Sequence, residues 1–244
     1  MNNYIISGAN SFLGQAFVRH LSKSDSNKLL ITSRTYFDYT YLESENIIYI
    51  SGIDLLTEDG LQKITNKASS FFKGSFHVIN CTGYYNGQEQ FISTTISEAK
   101  KIFESNFLTV YNLVTSLSPV MIQKGGGHII AFSCNSVRFN YPEMAPFTAA
   151  KSALESLIRT LANELYDCGV YANSFQLSTL LTDHETHVKP FGDHQNWLKV
   201  DEVVAYVEQF ITQPTQLHNG NSIQLYHYSD SFFHKSYFDR IRHK

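Results

Sequence analysis

Short runs of β-branched and apolar residues recur along the chain, which predicts seven strands: Tyr4 to Ile6, Leu29 to Thr32, Ile47 to Ile50, Phe76 to Ile79, His128 to Phe132, Val170 to Phe175 and Ser222 to Leu225. Segments with helical spacing lie between most of them, near 12–23, 57–70, 96–122, 147–167 and 200–212. Parallel strands need long crossovers, and helices supply them, so this alternation calls for a mostly parallel sheet covered on both faces. The fold class is α/β, a doubly wound sheet of about seven strands. The clearest periodicity runs from Phe147 through Ala150, Leu154, Leu157, Ile158, Leu161 and Leu165, one apolar stripe that must pack against a large surface.

No repeat, low-complexity tract or Pro/Gly linker breaks the chain, and all five prolines stand at 119 or later. A single domain over 1–244 is expected. One long stretch, 178–199, has no clear period, and long irregular segments in compact domains are usually lids or binding loops. The tail 227–244 is rich in aromatics and ends with Arg240, Arg242 and Lys244, fitting a contact arm or a frayed terminus.

Composition narrows the field. A chain of 244 residues, 43% apolar, is long enough to build one substantial core without disulfide or metal staples. Its 19 basic and 22 acidic side chains leave a net charge of −3 with no basic run, which argues against nucleic acid as a partner. No apolar stretch is long enough for a membrane span, and the first residues lack the zones of a secretion signal. Cys81, Cys134 and Cys168 form no CxxC pair, the usage of a reduced, cytoplasmic protein. The patterns GxSxG and GxxxxGK[ST] are absent, and so are paired Cys ligands. His184, Glu185, His187, Asp193 and His194 crowd the irregular stretch, but without an HExxH pattern they read as a solvated or substrate-contacting lid, and no metal is expected.

The first strand runs into Ser7-Gly8-Ala9-Asn10-Ser11-Phe12-Leu13-Gly14, a turn that opens a helix. Glycine lets the backbone approach a pyrophosphate, and the helix N-terminus offers free N–H groups. The middle glycine of the usual pattern is missing, so these residues alone also fit a plain structural turn. Twenty residues beyond Gly14, just after the second strand, stands Arg34. A cation there suits the 2′-phosphate of NADP, whereas NAD sites place a carboxylate near that point. A solvated loop arginine is the alternative.

From these residues onward the chain resembles the short-chain dehydrogenase/reductase family, with its Rossmann-type fold, over almost its whole length. Asp54 and Leu55 resemble the family's adenine-contacting pair, and Asn80-Cys81-Thr82-Gly83 its Asn-Asn-Ala-Gly stretch. Asn106 matches the active-site asparagine, and Gly125 to Ser136 resembles the strand carrying the active-site serine. Phe147 to Lys151 resembles the YxxxK motif, and Asn219 to Tyr226 the closing strand. The resemblance implies NADP(H) held by Ser7, Gly8, Asn10, Ser11, Phe12, Leu13, Gly14, Arg34, Asp54, Leu55, Asn80, Thr82, Gly83 and Lys151, and a catalytic set at Asn106, Cys134, Phe147 and Lys151. It also implies a small-molecule substrate and a homodimer, a homotetramer or a mixed assembly with an active relative.

The departures bear on function. Phe147 stands where the family has its proton-transferring tyrosine, and Cys134 where it has serine. Leu177 and Ser178 replace the Pro-Gly pair after the sixth strand. Hydride transfer to a carbonyl leaves an alkoxide that must be protonated, and phenylalanine has no proton to give. Cys134 is a weak S–H donor beside Lys151, or a small buried apolar filler. Tyr84, Tyr85, Tyr141, Ser133 and Ser136 are further candidate donors. Two readings follow. The chain is an NADP(H)-dependent oxidoreductase of a small carbonyl, imine or activated alkene with an atypical donor, or it is a catalytically silent relative that binds nucleotide, metabolite or a partner subunit.

Overall fold

Strand β1 (Asn3–Ser7) leads into helix α1 (Phe12–Leu21), and β2 (Lys28–Thr32) and β3 (Ile47–Ile50) follow. This computed structural model describes residues 2–42, 44–87, 89–188, 190, 194–213 and 218–227. The chain continues through α2 (Glu58–Phe71), β4 (His77–Asn80), α3 (Ile96–Phe103), a π-helical turn (Glu104–Leu108), α4 (Thr109–Gln123) and β5 (Gly127–Cys134). It then forms α5 (Ser136–Phe139), α6 (Ala145–Glu164), β6 (Val170–Leu177), β7 (Leu180–Leu181), α7 (Asp183–Val188), β8 (Leu198–Lys199), α8 (Val200–Thr212) and β9 (Ser222–Leu225).

Seven strands form one sheet in the order β3-β2-β1-β4-β5-β6-β9, every neighbour parallel. Its two faces are coded by period-two alternation. Tyr4, Ile6, Leu29, Ile31, Ile79 and Phe132 face α1 and α8, whose Leu13, Phe17, Val203 and Val207 complete one core. Ile5, Leu30, Val78, Ile129 and Ala172 face the other way, onto Ile64 of α2, Leu113 and Leu117 of α4, and Leu154 and Ile158 of α6. The chain builds β2 and β3 outward on one side of β1, then crosses to β4 on the other side. That reversal leaves a crevice at the carboxyl ends of β1 and β4, where doubly wound sheets take ligands.

Two expectations need correction. The helix expected over 96–122 is broken by the π turn at Glu104–Leu108. The side chain of Asn106 donates to the Ile102 carbonyl at 2.9 Å, competing with the backbone N–H that a regular helix would direct there. The irregular 178–199 segment does contain order: Leu180 and Leu181 pair with Leu198 and Lys199, around α7. Periodicity missed it because two-residue strands are too short to show alternation. The stripe of α6 also buries two charged residues, Lys151 and Glu155, among its apolar side chains. The tail beyond His227, with Arg240, Arg242 and Lys244, lies outside the described residues, as do Phe191 and Asp193.

Candidate active site

The turn after β1 is built by close approach. Gly8 has φ +73°, and a Cβ there would stand 2.7 Å from the Thr82 nitrogen and 2.9 Å from the Cys81 oxygen. Only glycine lets this turn lie against the end of β4. Ser11 caps α1 by accepting from the Gly14 N–H at 3.0 Å. A cavity of about 240 Å³ opens beside the turn, and Ser7, Gly8, Asn10, Ser11, Arg34, Asp54, Leu55, Thr82 and Gly83 line it.

Five residues expected at a dinucleotide do not line that cavity. Phe12 is 53% exposed, and Leu13 is buried in the core on the α1 side of the sheet, because successive helical side chains point apart. Gly14 packs the helix onto the turn, since a Cβ there would lie 2.4 Å from the Gly8 oxygen. Asn80 is buried and accepts from the Thr82 hydroxyl at 3.0 Å, which orients Thr82. Lys151 lies one step further along, next to Gly83.

Gly83 joins the cavity to the second cluster. A Cβ on it would stand 3.0 Å from Asn106 Oδ1 and 3.7 Å from Lys151 Nζ. Lys151 donates to the Phe132 carbonyl at 2.8 Å. Burial lowers its pKa to about 8, with Cys134 and Glu155 pulling the other way. Asn106 grips the peptide of Tyr84, donating to its oxygen at 2.7 Å and accepting from its nitrogen at 3.4 Å. The neighbouring Tyr85 ring meets Phe147 edge-on, centroids 5.0 Å apart, and Lys151 Nζ lies 5.6 Å from the Phe147 centroid. Half-buried Cys134 accepts from the Ser136 N–H at 3.5 Å. Burial, then the nearby Cys134 and the carboxylates of Glu185 and Glu143, push Tyr85 up to about 12. Asn106 and Lys151 thus meet at Gly83, and Lys151 and Tyr85 meet at Phe147.

Sequence reasoning missed several lining residues. Lys101, Ser105 and Thr109 reach the cavity from the long helix, and their spacing of four was a readable sign that they share a face. Thr109 stands 3.1 Å from the Thr82 hydroxyl. Glu155 was also missed. It accepts from Ser133 at 2.5 Å and from Gln176 at 2.8 Å, tying α6 to β5 and β6 beneath the site. Among the described residues, no group of three or more His, Cys, Asp or Glu is placed to hold a metal ion.

Residues 2–191 match the profile of the short chain dehydrogenases. The chain belongs to the short-chain dehydrogenase family. The 2,3-dihydroxy-2,3-dihydro-p-cumate dehydrogenase of Pseudomonas putida is 26% identical over 197 residues, 73% of this chain and 75% of that protein. Among solved structures, a short-chain type dehydrogenase/reductase from Mycobacterium ulcerans superposes with a TM-score of 0.82 at 16% identity, over 92% of this chain and 88% of that one. ElxO with NADP bound superposes with a TM-score of 0.81 at 20% identity, over 91% and 96%. These superpositions carry the fold, and the profile carries the family. Short-chain dehydrogenases are oxidoreductases that use nicotinamide cofactors, and the crevice of this one lies where such a cofactor binds in a doubly wound sheet.

Proposed function

We propose that this short-chain dehydrogenase is an NADP(H)-dependent oxidoreductase of small carbonyls, imines or activated alkenes, with Tyr85 in place of the residue at 147 as proton donor. The continuity at Gly83 carries the reading. A cavity lined by the Gly8 turn meets a buried lysine and asparagine through a residue whose missing side chain leaves room for a ligand. Arg34 in the cavity lining favours the phosphorylated coenzyme, and the ElxO structure with NADP bound supports the same choice. When bound, the reduced dinucleotide supplies a hydride.

The chain's own residues handle the proton and the geometry. Tyr85 keeps its phenol protonated at neutral pH, and although burial makes it a weaker acid than a free tyrosine, the alkoxide left by hydride transfer is more basic still and draws the proton. Asn106 fixes the Tyr84 peptide and so fixes where the next ring stands. Lys151, charged below about pH 8, adds a positive charge beside Phe147, which that ring meets. Cys134 is a second, weaker donor.

Incubation with NADPH and a panel of ketones, imines and enones tests the proposal. NADPH consumption is expected with at least one class, falling about 10²- to 10⁴-fold in Tyr85→Phe, which keeps the ring and loses the proton. Coenzyme binding without turnover across the panel would establish the second reading instead, a silent relative that binds nucleotide, metabolite or a partner subunit. Phe147 favours that reading, because a ring with no hydroxyl stands beside Lys151, its centroid 5.6 Å from the ammonium.

A further inference from the structure

Two cations reach the same cavity from different walls. Arg34 follows β2, and Lys101 stands on α3, one helical turn before Ser105 and two before Thr109. The ammonium of Lys101 lies 3.8 Å from the centroid of the Tyr84 ring. That cation–π contact gives a long, otherwise freely rotating side chain a preferred pose over the cavity.

Contact with the Tyr84 hydroxyl and the nearby Glu98 favour the charged form of Lys101, Arg34 is close enough to oppose them weakly, and among the described residues neither cation forms an ion pair. Two carboxylates share the lining. Asp54 is engaged, accepting from the Leu56 N–H at 2.9 Å. Glu104 lies three residues beyond Lys101, within reach along the helix, yet Lys101 turns to Tyr84. Two cations that line one cavity gain from an anion bound between them, which converts their repulsion into two attractions. The pyrophosphate of a dinucleotide already has donors in the N–H groups at the Gly8–Ser11 turn and the α1 N-terminus. Lys101 shares its cavity with Arg34 and lies near enough to feel its charge.

We propose that Lys101, posed by Tyr84, is a second cation for the ribose 2′-phosphate, which binds between it and Arg34 and so sets the preference for the phosphorylated coenzyme. The inference rests on the dinucleotide reading above. It departs from that reading in assigning selectivity to the helix that carries Asn106 as well as to the loop after β2.

Calorimetric titration with NADP+, NAD+ and adenosine 2′,5′-bisphosphate tests it without any substrate. Lys101→Gln is expected to weaken NADP+ and the bisphosphate by about tenfold, the usual worth of one charge-assisted contact. NAD+ should change by less than about twofold, because it has no phosphate there. Tyr84→Ala should give a smaller loss in the same direction by releasing the lysine from its pose. Lys100→Gln, on the same helix but not lining the cavity, controls for general surface charge and should leave all three affinities unchanged. The NADP+ affinity of Lys101→Gln should also depend less steeply on salt. Equal losses for NADP+ and NAD+ would place the lysine at the pyrophosphate and overturn the proposal, as would unchanged NADP+ affinity. A wild-type protein that takes up neither dinucleotide would overturn the functional reading itself, a different result from a wild type that binds and a variant that does not care.

Discussion

At the level of single residues, the substitutions at 134 and 147 set what the site can do. Phe147 keeps the shape of a phenol and none of its chemistry, while Tyr85 brings a phenol to its edge from a different part of the chain. If the rest of the pocket is intact, the double substitution Phe147→Tyr with Cys134→Ser should raise carbonyl reduction by about 10²-fold or more. No gain in a folded variant would mean a rebuilt pocket or different chemistry. Lys151 gives a second test. Its ammonium loses a proton as pH rises through about 8, so any rate that depends on that charge should fall on the alkaline side of pH 8, well below an ordinary lysine. Asn106, Cys134, Phe147 and Lys151 were expected as a set only through the family resemblance. Tyr85, Glu155 and Lys101 were not singled out as one site, because what joins them to it is contact across the fold: a ring packed on Phe147, a carboxylate under Ser133, an ammonium over Tyr84.

At the level of elements, the starts of β4 and β5 carry a buried stack with a consequence for stability. His77 lies between Tyr4 and His128, with centroids 5.3 and 5.4 Å away, and His128 also meets Tyr171 at 5.3 Å and Phe210 of α8. The His128 N–H donates to His77 Nδ1 at 3.2 Å, whereas His128 Nδ1 is buried without a partner. The other titratable groups facing the stack are phenols, with Glu208 near Tyr4. Burial lowers His77 to about 3, helped by His128, and lowers His128 to about 4. Both rings therefore stay neutral in the fold, while an unfolded chain protonates them below about pH 6.5. The unfolded state then binds more protons, so stability is full above about 6.5 and falls as pH drops toward 4. For His128 alone the loss is on the order of 3 kcal/mol. His128→Phe gives up no side-chain hydrogen bond recorded in the structure, and it should flatten the acid limb in denaturant titrations between pH 6.5 and 4. An unchanged limb would show that other groups dominate. The strands themselves were legible from alternation and β-branching. The π turn was not, because it arises from one side-chain amide capturing one backbone carbonyl, a competition that apolar spacing does not record.

At the level of the whole molecule, the order of elements alone placed the ligand crevice. Alternating strands and helices require a parallel sheet, and the switch from β3 back to β4 puts the carboxyl ends of β1 and β4 side by side. No helix of the described residues is long and apolar enough to cross a membrane. The outer side of the helix that carries Asn106 leaves Ile96, Leu108 and Tyr111 exposed. Pairing through that helix and α6 is the expectation, and sedimentation should show a dimer or tetramer that Ile96→Glu with Tyr111→Glu weakens. A strict monomer at high concentration would contradict it. The central claim is that the crevice at β1 and β4 holds a phosphorylated nicotinamide dinucleotide, with its reactive end beside Lys151. Equilibrium titration with NADPH, followed by the emission of the nicotinamide, tests that claim most directly. The account predicts saturable binding with one site per chain, tighter for NADPH than for NADH, and lost in Gly8→Val, whose side chain would occupy the space now shared with Thr82 and Cys81. Emission that never saturates with either coenzyme on folded protein would contradict it.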